Sequence, residues 1–371
     1  MESKVMRLAC TACSTTSGLD FPGWQCPVCG SPLEISRPMH QMKMSDLVAA
    51  ERVGMWRYSP WLPFSSRPVT LGEGGTPLIK IGRAGVDVLL KLEFVSPTGS
   101  FKDRGASMSI SRAAALGTER VVEDSTGNAG VAASVYAARA GIKARIYVPS
   151  DAPEAKKALM RASGAELVEC KDRSEASERA VAELGSGDLY IGHAWDPFYI
   201  AGMETVAFEI YEQFGVPDSI LVPVASGTLL LGLYRGFRGL LECGIATKTP
   251  RIFGVQGEDC APLYEEIHGP VSRTVGSALA DGLRIARPPR RGEILEAISS
   301  SGGDVFVVSD PEISEGLRIL LGMGIIAEPT SATAFAALSK GRASLSGTVA
   351  IPITGSGMKH PEGIARALGF Q

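Results

Sequence analysis

From residue 69 onward, short β-rich runs trade places with segments of helical period, and few architectures accept that exchange. Val86–Leu92 is followed by a helix over Asp103–Ala115, Arg120–Glu123 by Asn128–Ala140, and Ala144–Val148 by Pro153–Arg161. Glu166–Glu169 precedes Ser174–Glu183, Leu189–Gly192 precedes Glu204–Gln213, and Ile220–Val224 precedes Thr228–Leu241. Arg251–Val255, Val305–Val308 with Glu312–Leu321, and Thr348–Ile353 complete the series. Alternation at this spacing predicts an α/β chain: mostly parallel sheet, joined by crossovers and flanked by helices on both faces. There are too many strands for one compact sheet. Breaks near residues 192–202 and around Pro288 predict two lobes, the smaller and mobile one, about 107–195, inserted in the larger. In such folds ligands gather at the carboxyl ends of strands, so the loops there are where chemistry is sought.

The N-terminus obeys a different rule. Cys10, Cys13, Cys26 and Cys29 form two CxxC pairs with 12 residues between them. Two such knuckles present four thiolates to a tetrahedral Zn(II), and Gly30 lets the chain turn around the sulfurs. In a reducing compartment this reading outweighs disulfides or free thiols. Four protein ligands leave no open position, which makes the metal structural. Residues 1–36 are therefore expected to be a zinc ribbon, too small to hold together without its ion. Residues 37–68, with Trp56, Tyr58, Trp61 and Phe64 among prolines, read as an extended linker arm laying its aromatics on another surface, a partner subunit being one candidate; residues 69–371 form the main body.

Bulk properties narrow the partners. A net charge of −3 with 21 % charged residues offers no electrostatic reason to expect nucleic acid or a membrane surface. No apolar run approaches the ~18–20 residues of a membrane span, and Met1–Ala9 is too short and mixed for a signal peptide. The expectation is a cytoplasmic protein with neither nucleic acid nor membrane as partner, and with a homodimer as its assembly.

Four places carry candidate chemistry. In Ser96-Pro97-Thr98-Gly99-Ser100-Phe101-Lys102-Asp103-Arg104-Gly105, Ser100 followed by Asp103 reads as a capping box, which would place Lys102 at the second position of a helix. A cation is disfavoured there by the helix dipole, and the same field favours the neutral amine that carbonyl chemistry uses. Ser125-Thr126-Gly127-Asn128 opens a second helix with small and hydroxyl residues, a ready site for a carboxylate or phosphate. Ala225-Ser226-Gly227-Thr228-Leu229 repeats the arrangement after a hydrophobic strand and lacks the lysine and spacing of a Walker loop. The last strand ends at Thr354-Gly355-Ser356-Gly357, where a hydroxyl flanked by glycines can meet a flat ligand.

On these motifs, together with Gly72-Glu73-Gly74-Gly75-Thr76-Pro77-Leu78 and Glu328-Pro329-Thr330-Ser331-Ala332, the chain resembles the fold-type II (tryptophan synthase β-like) pyridoxal-phosphate enzymes. Most specifically it resembles the threonine synthase family in its form with an N-terminal zinc ribbon. The resemblance covers about residues 70–360. It implies that Lys102 holds pyridoxal 5'-phosphate as an imine and moves protons, and that Asn128 meets the cofactor's 3'-oxygen. It further implies that Ser125, Thr126 and Gly127 take the substrate carboxylate, that Ala225, Ser226, Gly227, Thr228 and Leu229 hold the cofactor phosphate, and that Thr354 faces the ring nitrogen. A neutral hydroxyl there makes the ring a weaker electron sink than a carboxylate would, which favours elimination and replacement over transamination.

The implied reaction converts O-phosphohomoserine and water to threonine and phosphate, by γ-elimination and β-addition. Three positions depart from the phosphate ligands of some family members: Ala129, where they carry a threonine, and Ala194 and Tyr199, where they carry a serine and an arginine. Lys156, Lys157, Arg104 and Arg284 are the cations that could substitute. The alternative is a serine/threonine dehydratase or a β-replacing synthase of cysteine or cysteate type. A catalytic body reduced to a binding module is opposed by Lys102, which such a body has no reason to keep.

Overall fold

A computed structural model of the chain describes residues 5–64, 67–83, 85–125, 127–271, 279–341 and 345–370. Thr126, among the expected substrate ligands, lies outside the described residues. The chain divides into two compact units. The first takes Met1–Gly75, Lys102–Thr205 and Glu242–Ile245; the second takes Thr76–Phe101, Val206–Leu241 and Ala246–Gln371. The smaller lobe expected at 107–195 falls inside the first unit, which also includes the ribbon and the arm.

In the first unit, a three-stranded antiparallel sheet sets Arg7–Cys10 between Thr16–Ser17 and Leu33–Ser36, with Leu8 opposite Ile35 and Cys10 opposite Leu33. Its buried face does not stand alone. Leu8, Leu33 and Ile35 share one core with Met55, Trp56, Leu62, Met108, Phe198 and Ala201. The segment expected as an extended arm instead makes two 3-10 turns, Met44–Leu47 and Gly54–Tyr58, and turns its aromatics inward. The reason lies in their polar atoms. Trp56 Nε1 reaches both Glu73 and Ser107 at 2.9 Å, and Trp61 Nε1 donates to Glu204 at 2.6 Å. Buried indoles need such partners, and these are found within the unit.

The same unit holds a parallel four-stranded sheet in the order Glu166–Cys170, Lys143–Pro149, Arg120–Asp124, Asp188–Tyr190. Helices Asn128–Ala140, Glu154–Ala162 and Arg173–Ala182 connect the strands. The first of these is alanine-rich and stops at Gly141, whose φ of 71° suits a left-handed C-cap. The helix expected from Glu204 begins seven residues earlier, as Pro197–Gln213. Asp196 explains this: its carboxylate accepts the Phe198 N–H at 3.0 Å, with Pro197 in the first helical position.

The second unit is organised by a six-stranded sheet in the order Val305–Val308, Arg251–Gly257, Ser219–Pro223, Thr348–Pro352, Val86–Lys91, Leu78–Arg83. All neighbours are parallel except the antiparallel edge strand Leu78–Arg83. Four helices absent from the expected pattern appear here: Pro262–His268, Arg291–Ser300, Pro329–Ser339 and Pro361–Leu368. Pro329–Ser339 is buried on nearly every side, so its sequence shows no apolar stripe. It packs on Asp310–Gly322, which starts with a capping box between Ser309 and Glu312.

Candidate active site

Parallel strands end at the same edge of a sheet, and in the second unit three neighbours do so together. Thr348–Pro352 lies between Ser219–Pro223 and Val86–Lys91. The loops that follow are 353–357, 224–227 and 92–101. Two of them are zipped to each other: Phe94 N donates to Ile353 O at 3.1 Å, Phe101 N to Thr354 O at 3.0 Å and Ser356 N to Gly99 O at 2.9 Å. The expected capping box at Ser100 is not formed. Its backbone is bridged to Gly355, and its hydroxyl is buried without a hydrogen-bond partner. The helix begins at Lys102 itself, Lys102–Ala115, so the lysine stands in the first position rather than the second.

Thr354 is buried, and its hydroxyl lies 2.8 Å from that of Ser331. Ser331 also contacts the backbone of Gly355, receiving its N–H at 2.7 Å. Ser331 is a part of this corner that the motif Glu328–Ala332 contained without revealing, because its role depends on a residue 23 positions away. In the loop at 224–227, Gly227 has φ +80°, and a Cβ there would come within 2.3 Å of Ile294 Cδ1. Only glycine fits without strain. Ala225, Ser226, Thr228 and Leu229 are all buried around it, and helix Thr228–Glu242 starts there. Amide N–H groups at such a start are an anion cradle.

In the first unit the same geometry recurs. Arg120–Asp124 and Asp188–Tyr190 are parallel neighbours, and their ends deliver Ser125–Asn128 and the turn that carries His193. Gly127 is the N-cap of helix Asn128–Ala140, which has no side-chain cap. The Gly127 N–H reaches the Ser125 hydroxyl at 3.3 Å. Of the four substitute cations, Lys157 is tied to Glu154 and to Ser150 O. Arg104 binds Thr205 at 3.0 Å, and Arg284 faces Asp259 at 3.5 Å. Lys156 is buried, and its Nζ stands 3.9 Å from the Cβ position of Gly127.

Lys102 is held by Tyr199. The phenol donates to the Lys102 carbonyl at 2.9 Å, and Nζ lies 5.7 Å from the ring centre. A Cβ on Gly105 would meet that ring at 2.1 Å, so the glycine is what lets the ring lie against the helix. Burial raises the Tyr199 hydroxyl well above its ordinary pKa, with Glu123 and Asp103 adding to it. The phenol stays protonated and remains a donor. Tyr199 and Ala194, both expected as losses of phosphate ligands, thus differ: Tyr199 is an architectural partner of the lysine.

The ribbon cysteines converge. Their sulfurs lie within 4.8 Å of one another, with Cys10–Cys29 at 3.4 Å, Cys13–Cys26 at 3.7 Å and Cys13–Cys29 at 3.6 Å, and none is in a disulfide. Tetrahedral Zn–S bonds of about 2.3 Å place sulfurs about 3.8 Å apart. Backbone N–H groups of Ala12 and Cys13 point at Cys10 Sγ, both at 3.3 Å, and Gly30 turns with φ +73°. Among the described residues, no helix is long and apolar enough to cross a membrane.

Comparison with known proteins agrees with this geometry. Residues 69–355 match the family described as "Pyridoxal-phosphate dependent enzyme". The threonine synthase of Methanocaldococcus jannaschii is 33 % identical over 387 aligned positions, covering 96 % of this chain and 94 % of that one. The threonine synthase of Synechocystis sp. is 35 % identical over 330, covering 85 % of each. Among solved structures, a fungal L-serine ammonia-lyase from Rhizomucor miehei superposes with a TM-score of 0.68 at 21 % identity, covering 81 % of this chain and 98 % of that one, a likeness of fold.

Proposed function

The chain belongs to the pyridoxal-phosphate dependent enzyme family and, within it, to the threonine synthases, and from that premise we propose how its own residues carry the reaction. It is a pyridoxal-phosphate-dependent lyase that converts O-phosphohomoserine and water to threonine and phosphate. The observation that carries this reading is the nearly end-to-end match with threonine synthases. The cofactor fits the groups present: an orphaned, buried Ser100 hydroxyl two residues before Lys102, a glycine cradle at Gly227, and a hydroxyl pair, Thr354 with Ser331, for a neutral ring nitrogen.

When bound, pyridoxal phosphate supplies a sink for negative charge at the substrate's Cα. Lys102 is the residue that carries it and that takes and returns protons at Cα and Cβ. Its place at the head of a helix favours the uncharged amine at the moment a proton is to be accepted. Asn128 would meet the cofactor's 3'-oxygen, Ala225–Leu229 would hold its phosphate through helix-start N–H groups, and Thr354 would face the ring nitrogen. Ser125, Thr126 and Gly127 take the substrate carboxylate. Lys156, buried against Gly127, adds the cation that a doubly charged substrate needs in place of the ligands lost at Ala129, Ala194 and Tyr199.

We further propose that Cys10, Cys13, Cys26 and Cys29 hold one structural Zn(II), checked by metal analysis of the purified chain, and that the enzyme is a cytoplasmic homodimer. The deciding experiment compares phosphate release from O-phosphohomoserine with 2-oxo acid formation from serine or threonine, in the native chain and in Lys102→Ala. Phosphate release that vanishes in the variant, together with the visible cofactor band, is the expected result. A dehydratase or β-replacing synthase keeps one observation in its favour, the missing phosphate ligands at Ala129 and Ala194, and 2-oxo acid without phosphate release would select it.

A further inference from the structure

Near the lysine, the first unit carries two titratable groups that no step above uses. Glu123 is fully buried near the end of strand Arg120–Asp124. One residue holds its carboxyl from two directions: the His193 backbone N–H donates to Oε2 at 3.2 Å, and His193 Nδ1 lies 2.7 Å from Oε1. The imidazole faces the Tyr199 ring at 6.0 Å between centroids, and Tyr199 is the residue that grips Lys102. The four side chains thus form one packed series. With Nδ1 engaged by the carboxyl, Nε2 is the ring nitrogen turned away from it, and the His193 side chain is 13 % exposed.

We infer that Glu123 and His193 are a proton-holding pair that sets the charge of Lys102, a positioning role that rests on the reading of Lys102 as the cofactor-bearing residue. The exchange balances: an ammonium and a carboxylate become an amine and a carboxylic acid, one proton leaving Lys102 Nζ and one ending on Glu123. Net charge in the buried space is unchanged, so neither state leaves an isolated ion there.

The electrostatics agree. Burial pushes the Glu123 carboxyl up to about 8, opposed by the positive charge of Lys102 and by the His193 N–H, and reinforced by Asp196. Burial and Lys102 together hold the imidazole well below its ordinary value, with Asp124 pulling the other way and Arg173 adding to the depression. Near neutral pH the pair therefore holds its proton on the carboxyl and keeps the ring neutral. Asp124 and Asp196 are otherwise engaged, the first by Tyr190 at 2.5 Å and the second by Ser109 at 2.5 Å. A purely structural filler has cheaper solutions than a buried carboxyl, since an amide or an apolar pair would occupy the space without its burial cost.

The test reads Lys102 directly. Full-length protein freed of cofactor is pulse-acetylated with acetic anhydride across pH 6–11, and modification of the Lys102 peptide is followed by mass spectrometry. Glu123→Gln is expected to lower the Lys102 midpoint by about one unit or more, because an ionised carboxylate no longer favours the ammonium. His193→Gln, which keeps the volume and the backbone bond to Glu123, is expected to move the midpoint as well, and Glu123→Asp to restore part of the shift. A midpoint equal to that of the native chain in both the Glu123→Gln and His193→Gln proteins overturns the inference. Should Glu123→Gln fail to fold by circular dichroism, an unmoved midpoint in His193→Gln alone overturns it. The outcome is separable from the cofactor assignment: a native chain that shows the visible band can have an unmoved Lys102 midpoint, and a midpoint can move in a chain that takes no cofactor.

Discussion

Lys91 ends the strand that feeds the lysine-bearing loop, and it is entirely buried. Its ammonium has three N–H donors, and three acceptors stand within reach: the Thr76 carbonyl at 2.6 Å, Glu209 Oε2 at 2.7 Å and Gln213 Oε1 at 2.9 Å. Glu209, also buried, accepts the Thr76 N–H at 3.2 Å. Replacing Lys91 with Met keeps the approximate volume and removes the charge, which strands a carboxylate away from water. Breaking a buried pair from one side costs about 3–5 kcal/mol, a large share of the roughly 5–15 kcal/mol by which folded chains are stable. The Thr76 carbonyl is not orphaned, because Gln213 Nε2 also donates to it at 2.9 Å. Most of the loss therefore comes from the stranded charge.

That attribution makes a second, opposite prediction. Glu209→Gln added to Lys91→Met removes the stranded charge while keeping an acceptor for Thr76, so the double variant should lose only about 1–2 kcal/mol, the scale of ordinary hydrogen bonds. It should be more stable than the single variant. Urea unfolding measures this, provided it is followed by circular dichroism: the chain has four tryptophans, Trp24, Trp56, Trp61 and Trp195, and all lie in the other unit. Losses that simply add in the double variant would falsify the account, since they would mean that each side chain contributes by packing alone.

Three further perturbations test other parts. Trp24→Ala in the ribbon removes edge contacts to Tyr190 at 5.3 Å and Trp195 at 4.9 Å; at about 0.5–1.5 kcal/mol each the loss is about 1–3 kcal/mol. It should appear as faster surrender of zinc to a chelator, and an unchanged release rate would show that the ribbon does not lean on this strand end. Gly227→Ala forces a side chain into left-handed backbone, about 1–2 kcal/mol of strain, and against Ile294. Cofactor affinity should fall roughly tenfold or more, read by titrating the visible band, and an unweakened affinity contradicts the cradle. Glu123 keeps its proton up to about pH 8 when folded, against an ordinary 4.5. The folded chain then binds more protons between those values, so stability from this group is complete below about 4.5 and is lost as pH rises toward 8. Glu123→Gln should flatten that decline in thermal midpoint, and a slope equal to that of the native chain counts against the raised carboxyl.

What could be read in the chain before its structure divides by the distance over which a residue acts. Lys102, Asn128 and Thr228 stand at helix starts after hydrophobic strands, and that local pattern was enough to select them, as the CxxC spacing was for the sulfurs. Ser100 obeyed the local rule for a cap and does not act as one, because its backbone is claimed by Gly355, far along the chain. Pro329–Ser339 escaped for a related reason: a helix buried on all sides has no polar face to give it a period. The pairings of Ser331 with Thr354, Glu123 with His193 and Trp56 with Glu73 were likewise illegible, for nothing local in either member points to the other. The consequence bears on chemistry. The groups proposed to bind a cofactor through backbone N–H atoms are written in short stretches of sequence. The groups proposed to tune the lysine's proton, Glu123 and His193, stand 70 residues apart, so two chains with the same motifs can differ in the reaction they favour through residues that no motif contains.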